Sequence, residues 1–341
     1  MRLFFTVDAR VVKRALGVVA GALVLASLPW LWDTAVRLRY GVKPGVTLAG
    51  QAVGWLLPEE LDRRLDDMGR ELDRPARDAK EDATTGRVIP EAEGRELDRA
   101  ATARKLLAAP PFARVEPVFT RLLPAVTRLH YRAIYQGPSA RPLVAFAINV
   151  DWGEEVLPAL LDRLEQEKVR ATFFVTGRWA QKFPELVRRM HERGHEVANH
   201  GWDHAHARQL GDPELRALIA KNADLLEQLT GRRPTLFAPP YGEVDARIVR
   251  IAAEEGHYTT MWSVDTIDWQ RPPAEIIVDR VERKLGPGAI VLMHPTQPTL
   301  EALPRLVALV RQRSLTPVTV GQMVAALEEE GQASAHTSAR P

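Results

Sequence analysis

The sequence predicts an α/β chain: an incomplete (β/α)7-type barrel, preceded by a small α+β domain and an N-terminal membrane helix. Three observations predict it. From Leu143 onward, apolar runs of strand length alternate with segments of helical period. The residues able to do chemistry fall at the C-terminal ends of those runs. An apolar run from Ala15 to Trp32 follows a basic N-terminus.

Arg2, Arg10, Lys13 and Arg14 define a basic segment over residues 1–14, expected in the cytoplasm. The run 15–32 would be about 27 Å long as a helix, barely enough to cross a bilayer. Trp30 and Trp32 suit the membrane–water interface. The best small-residue cleavage site before Pro29 is Ala26-Ser27, and it is poor, so the reading is an uncleaved anchor rather than a signal peptide. It places a single-pass protein in the cell membrane, with everything from about residue 40 outside the cytoplasm.

Residues 41–135 read as the small α+β domain. Gly41-Val42-Lys43-Pro44-Gly45-Val46 is a turn entering a short strand. Pro58-Glu59-Glu60-Leu61 opens a helix with Leu61, Leu65 and Leu72 on one face. Asp78–Gly94 is polar, with turns at Thr85-Gly86 and Glu93-Gly94.

The barrel is expected over 140–327. Its strand candidates are 143–150, 171–176, 195–198, 235–238, 257–262, 289–293 and 316–320. Between them lie Glu154–Lys168, Ala180–Arg193, Pro213–Thr230, Val244–Glu255, Pro273–Leu285 and Leu300–Arg313, all of helical period. Such alternation implies parallel pairing with right-handed crossovers. Chemistry then belongs at the C-terminal strand ends. Asn149, Asp151, His200, Pro240-Tyr241, Asp265 and His294 all fall there. The tail 328–341 is polar and rich in small residues, and is expected to be disordered.

Composition narrows the chemistry. The chain has 341 residues, 45% hydrophobic and 26% charged, as for an ordinary globular protein. A net charge of +2 gives no reason to expect nucleic acid as a partner. The absence of cysteine excludes disulfides, thiolate catalysis and cysteine-ligated metals. The run Asn199-His200-Gly201-Trp202-Asp203-His204 places two imidazoles four residues apart. With Asp151 they form a usual ligand set for a catalytic divalent ion of the zinc type that keeps an open position.

At this point residues 143–327 resemble the catalytic domain of the polysaccharide deacetylase family, which includes chitin and peptidoglycan deacetylases. Gly194–His204 matches the family's metal-binding motif. Ala238-Pro239-Pro240-Tyr241-Gly242 matches its groove motif, Trp262–Trp269 its fourth motif and Ile290–Pro295 its last. Residues 45–61 with 86–94 are similar to the peptidoglycan-binding modules of bacterial envelope proteins, although a plain spacer domain explains them as well.

The resemblance implies hydrolysis of the N-acetyl amide of a sugar, a non-peptide carbon–nitrogen bond, on peptidoglycan or another N-acetylated glycan. It implies a divalent metal on Asp151, His200 and His204. His294 would protonate the leaving amine, supported by an acidic neighbour such as Asp265. The Tyr241 backbone N–H would face the oxyanion. Pro240, Trp262, Trp269 and Leu292 would line the acetyl pocket and a sugar platform, although the last three could equally be barrel core.

The first motif departs from the family pattern. The family has two acids there, a base and a metal ligand. This chain reads Ala147-Ile148-Asn149-Val150-Asp151-Trp152-Gly153. In one register Asp151 is the base and Trp152 falls on the ligand position. In the other Asp151 is the ligand and Asn149 holds the base position. Strand alternation favours the second, because it puts Asn149 and Asp151 on one face. A second departure agrees: the family's Arg, which pairs with the base, is Ala238 here. A buried Arg without its partner is costly, so the joint loss is coherent.

Two readings follow: a membrane-anchored metal-dependent deacetylase, or a catalytically impaired member that binds glycan or envelope partners. Asn149 and Ala238 favour the second, and the retained His200, His204, Asp265 and His294 favour the first. A sugar epimerase or glycosidase would need a pair of catalytic carboxylates that the sequence does not offer.

Overall fold

The computed structural model describes residues 9–338. The chain divides into two compact units. One comprises the residues up to Arg77 together with Ala92–Pro124, and the other Asp78–Glu91 together with the residues from Ala125 onward.

The first unit begins with one long helix, Ala9–Tyr40. Its stretch Leu16–Tyr40 is long and apolar enough to cross a membrane, and none of its most apolar window is buried. The expected anchor, 15–32, is thus only part of a longer helix. Most of the basic segment 1–14 lies outside the described residues. The helix end is tied down by Arg37, which donates to Glu60 Oε2 at 2.6 Å and to Asp33 Oδ2 at 2.8 Å. Glu60 also accepts the Leu57 N–H, capping the helix Pro58–Leu72. That helix buries Leu61 and Leu65 completely, while Leu72 packs at the edge of the same cluster. Short strands Thr47–Leu48, Gln51–Ala52 and Arg114–Val115 form a three-stranded sheet, and Gly94–Leu97 pairs with Phe119–Leu122.

The polar stretch Asp78–Glu91, expected inside the small domain, belongs to the larger unit. Its hydrogen bonds explain this. Asp78 Oδ1 accepts the N–H groups of Ala125 and Val126 at 2.7 and 3.0 Å. Glu91 Oε2 accepts the Arg128 N–H at 2.9 Å.

The larger unit is a curled parallel sheet. Its strands are β1 (Leu143–Val150), β2 (Thr172–Val175), β3 (Glu196–Asn199), β4 (Leu236–Phe237), β5 (Tyr258–Thr259), β6 (Val264–Asp265), β7 (Ala289–Met293) and β8 (Thr316–Val318). The order is β5-β4-β3-β2-β1-β7-β6, and β8 pairs with the first half of β1. The single run expected at 257–262 is therefore two strands. The chain changes partner within it: Met261 N–H donates to Ile134 at 2.7 Å, and Ser263 N–H to Ile290 at 3.1 Å. β5 and β6 do not pair, so the barrel stays open at that seam.

β1 is buried on both faces, which is why it reads as one continuous apolar run. Val144, Phe146, Ile148 and Val150 join the outer core against the helices. Ala145 and Ala147 join a separate inner cluster with Phe174, Ala198, Leu236 and Ala238. By the same alternation Asn149 shares the inner face. Small inner residues leave room for the start of the last helix, Val320–Ser338, whose Val320, Met323 and Val324 complete that cluster. The segment expected to be disordered from Glu328 thus continues as helix to Ser338. Glu328 itself is held by Thr127 and by the Tyr258 hydroxyl.

Away from the strand C-termini, His130, His195 and His257 of this unit are buried and neutral. Burial pushes His130, His195 and His257 each down to about 4. The unfolded value is about 6.5, so the unfolded chain takes up protons first as pH falls. Their contribution is fully favourable above about pH 6.5 and is lost on the way down to pH 4, by at most about 3 kcal/mol each. Melting temperature should therefore fall steeply between pH 6.5 and 4. A flat profile across that window would contradict the burial argument.

Candidate active site

The C-terminal ends of the strands surround a cleft of about 410 Å³. β1 delivers Asn149, and Asp151 and Trp152 follow directly in the loop. Asn149 is only 7% exposed, and among the described residues its Oδ1 has no hydrogen-bond partner. An orphaned buried acceptor is costly, so its retention at the cleft wall marks a position shaped for something other than packing. Asp151 Oδ1 accepts the Thr176 hydroxyl at 2.7 Å, which orients the carboxylate.

β3 delivers His200, and the loop after it delivers His204. Asn199 Oδ1 accepts the Gly201 N–H at 2.8 Å and an Asn222 amide N–H at 2.8 Å, fixing the turn between strand and loop. His200 Nδ1 lies 2.7 Å from the Ala238 carbonyl. A carbonyl only accepts, so Nδ1 carries the proton and Nε2 keeps a free lone pair. Burial holds the His200 pKa at about 3, so the ring is neutral. The His204 ring stands edge-on to it, with centroids 5.0 Å apart. Burial also lowers the His204 pKa, against the opposing pull of Asp151.

These donors have the chemistry of a divalent-metal site: two imidazoles, one shown to present its lone pair, and an anchored carboxylate on one cleft. Among the described residues, however, no three His, Cys, Asp or Glu side chains already stand close enough to hold an ion. The donor types fit a metal, and the side chains would have to close around it.

The far wall corrects one expectation. The acid that supports His294 is Asp268, not Asp265. Asp268 is fully buried, and it accepts His294 Nδ1–H at 2.8 Å, the His294 backbone N–H at 2.6 Å and the Thr299 hydroxyl at 2.5 Å. Asp265 lines the cleft with its Oδ1 on the Ile267 N–H. A 3-10 turn at Asp268–Gln270, flanked by positive φ at Ile267 and Arg271, turns the second acid inward. The pair Asp265-x-x-Asp268 was visible in the sequence, but nothing in its spacing shows which acid turns in. Reasoning from sequence also missed Trp152 as a wall residue: its ring lies parallel to that of His294, with centroids 5.9 Å apart.

Tyr241 sits on the rim, 58% exposed, with φ +58°. Its ring stacks on His206 at 4.0 Å, and His206 Nδ1 lies 2.8 Å from Glu243. Pro240 is buried behind it and is not part of the cleft surface. Trp262 and Leu292 serve both purposes considered for them: Leu292 is buried, Trp262 packs on the inner core, and both line the cleft. Trp269 is 53% exposed at the cleft edge. All the residues expected at the site except Pro240 therefore meet on one cleft.

Comparison with known proteins identifies the family. The polysaccharide deacetylase family model matches residues 137–260. A peptidoglycan-N-acetylglucosamine deacetylase of Bacillus cereus is 32% identical over 57% of this chain and 72% of its own length. The chain belongs to the polysaccharide deacetylase family. The uncharacterized protein YlxY of Bacillus subtilis is 36% identical over 62% of this chain and 67% of its own length. Among solved structures, a CE4 family pseudoenzyme from Bacillus anthracis covers 78% of this chain and 95% of its own, at 31% identity and TM-score 0.57. A mutant of that pseudoenzyme with restored enzymatic activity matches with the same TM-score. The deacetylase family thus includes pseudoenzymes, and the chain is similar to both kinds of member.

Proposed function

We propose that this protein is a membrane-anchored, deacetylase-type protein of the cell envelope that binds an N-acetylated amino-sugar glycan such as peptidoglycan, with its hydrolytic step impaired. The observation that carries the impairment is Asn149: a buried amide oxygen without a partner stands where a base is needed. An amide does not take a proton from water at neutral pH, and a positioned base contributes about 10²–10⁴-fold.

The remaining residues support recognition of the deacetylase substrate. Asp151, His200 and His204 would hold a divalent metal, zinc being the type their chemistry suits. Such an ion, when bound, polarises an acyl oxygen and makes a bound water more acidic. Asp268 holds His294 Nδ1–H and leaves Nε2 toward the cleft, so a His294 ring that has taken up a proton there would give it to a leaving amine and return to the neutral Nδ1–H form. The Tyr241 N–H is the candidate oxyanion donor, and its positive φ is a strained conformation of the kind found at working sites. Trp262, Leu292 and Trp269 offer an apolar pocket with an aromatic edge, suited to an acetyl group and a sugar face. The intact His294–Asp268 pair favours residual turnover as the second reading. Acetate release from N-acetylglucosamine oligomers and from peptidoglycan, with binding of both measured in parallel, separates the two: binding with little release supports impairment, and rapid release overturns it.

Topology has its own test. The basic N-terminus followed by the apolar helix supports a barrel outside the cytoplasm. Protease added to intact protoplasts should digest the larger unit. Complete protection, with the protease shown to be active, would reverse the orientation.

A further inference from the structure

The N-terminal end of the barrel carries a second cavity, of about 480 Å³. It is formed by the residues that lead into β2, β3 and β4, together with the first turn of the last helix. This is the end of the sheet opposite the cleft. Its walls are basic. Arg170 and Arg232 are exposed, and among the described residues neither guanidinium has a carboxylate partner. Arg233, beside them, is already paired with Asp224 and Glu227. The one acid in the wall, Glu196, is engaged: it accepts the Thr172 hydroxyl at 2.6 Å and the Gly321 N–H at 2.9 Å.

His195 supplies a buried donor. It is 5% exposed and lines this cavity. Its Nδ1 accepts the Ala171 N–H at 3.2 Å, so in the neutral ring the proton is on Nε2. No partner for Nε2 exists among the described residues. Arg170 is held close by: a Cβ on Gly194 would touch its Nε at 3.4 Å.

We propose that this cavity is an anion site for a phosphate group, with Arg170 and Arg232 as its two guanidinium arms and the His195 Nε2–H as its buried donor. Guanidinium groups match phosphate oxygens in pairs, and charge-assisted bonds are the strong ones. Donors from three separate segments suit a tetrahedral group with several acceptor oxygens better than a planar carboxylate. A neutral imidazole N–H adds direction without adding a titrating charge near pH 7. The phosphate could belong to a phosphodiester-linked polymer or to a small phosphomonoester. The proposal does not depend on the deacetylase cleft.

The test is calorimetric titration of the full chain in detergent, at constant ionic strength, with inorganic phosphate and separately with a poly(glycerol phosphate) oligomer. Phosphate should bind with a dissociation constant in roughly the millimolar range. Arg170→Ala with Arg232→Ala should weaken it about tenfold or more. Arg283→Ala, at an exposed cation on the helix Ala274–Lys284 and outside this cavity, should leave it unchanged. His195→Phe should also weaken it, and if that variant does not fold, the arginine pair decides alone. Tighter binding of the oligomer than of phosphate identifies a polymer, and weaker binding identifies a small phosphomonoester. No binding of either probe, or undiminished binding in the double arginine variant, overturns the site.

Discussion

Asn149→Asp combined with Ala238→Arg should raise kcat/KM for acetate release by about 10²–10⁴-fold over the wild type. The two positions meet different obstacles alone. A carboxylate at 149 would be buried beside the cleft without a cation, and its pKa would rise toward the protonated form, which is no base. An arginine at 238 would enter the small-residue inner cluster, where a guanidinium without a partner is strongly disfavoured. Together each supplies what the other lacks. The double variant should therefore gain more than the two single changes combined, measured as a cycle on kcat/KM. Melting temperature should show the same coupling, with Ala238→Arg alone the least stable. If the wild type already turns over rapidly and Asn149→Ala changes nothing, Asn149 is not at the base position. Asp151 would then be the base, and the metal would need another ligand.

His200→Ala and His204→Ala should each reduce the metal content of the purified full chain from about one divalent ion to near zero. His200 presents its Nε2 lone pair because the Ala238 carbonyl holds Nδ1–H. Its burial leaves no water to replace that donor. His204 is reached through a strained backbone, φ +53°, and its ring is held edge-on by both His200 and Tyr241. Loss of one of three protein ligands leaves two, too few for a catalytic site of this type. Metal analysis after dialysis gives the answer without any activity measurement. Unchanged content in both variants would remove these histidines from the site.

The barrel was legible because periodicity survives burial. β1, β2, β4, β7 and β8 lie within or coincide with the apolar runs that announce them, and β3 overruns its run by one residue. The site was legible because parallel strands carry their C-terminal residues to one end, so sequence order already sorts Asn149, His200, Tyr241 and His294 together. The division at 257–262 was not legible. An apolar run looks the same whether it pairs with one neighbour or changes partner at Met261. The Glu328–Ser338 segment misled for another reason: its composition is polar, but Glu, Gln and Ala are good helix formers, and Glu328 has partners far away in sequence.

The chain's family and its αβ alternation were decided by residue identity and spacing alone, as were the identities of Asn149 and Ala238 on which the proposed impairment rests. Local patterns carry that information because strand ends and the H-x-x-x-H loop need only near neighbours in sequence. Which acid holds His294, which residues wall the cleft, and where 78–91 belongs were decided only by the tertiary structure. Asp265 and Asp268 are both carboxylates three residues apart, and a single turn of backbone with positive φ at Ile267 chooses between them. Asp78 and Glu91 find their donors at 125–128, beyond residues 92–124 in sequence. Such choices depend on partners distant in sequence, whose positions are set by how sheets and helices close around a shared core rather than by any local pattern.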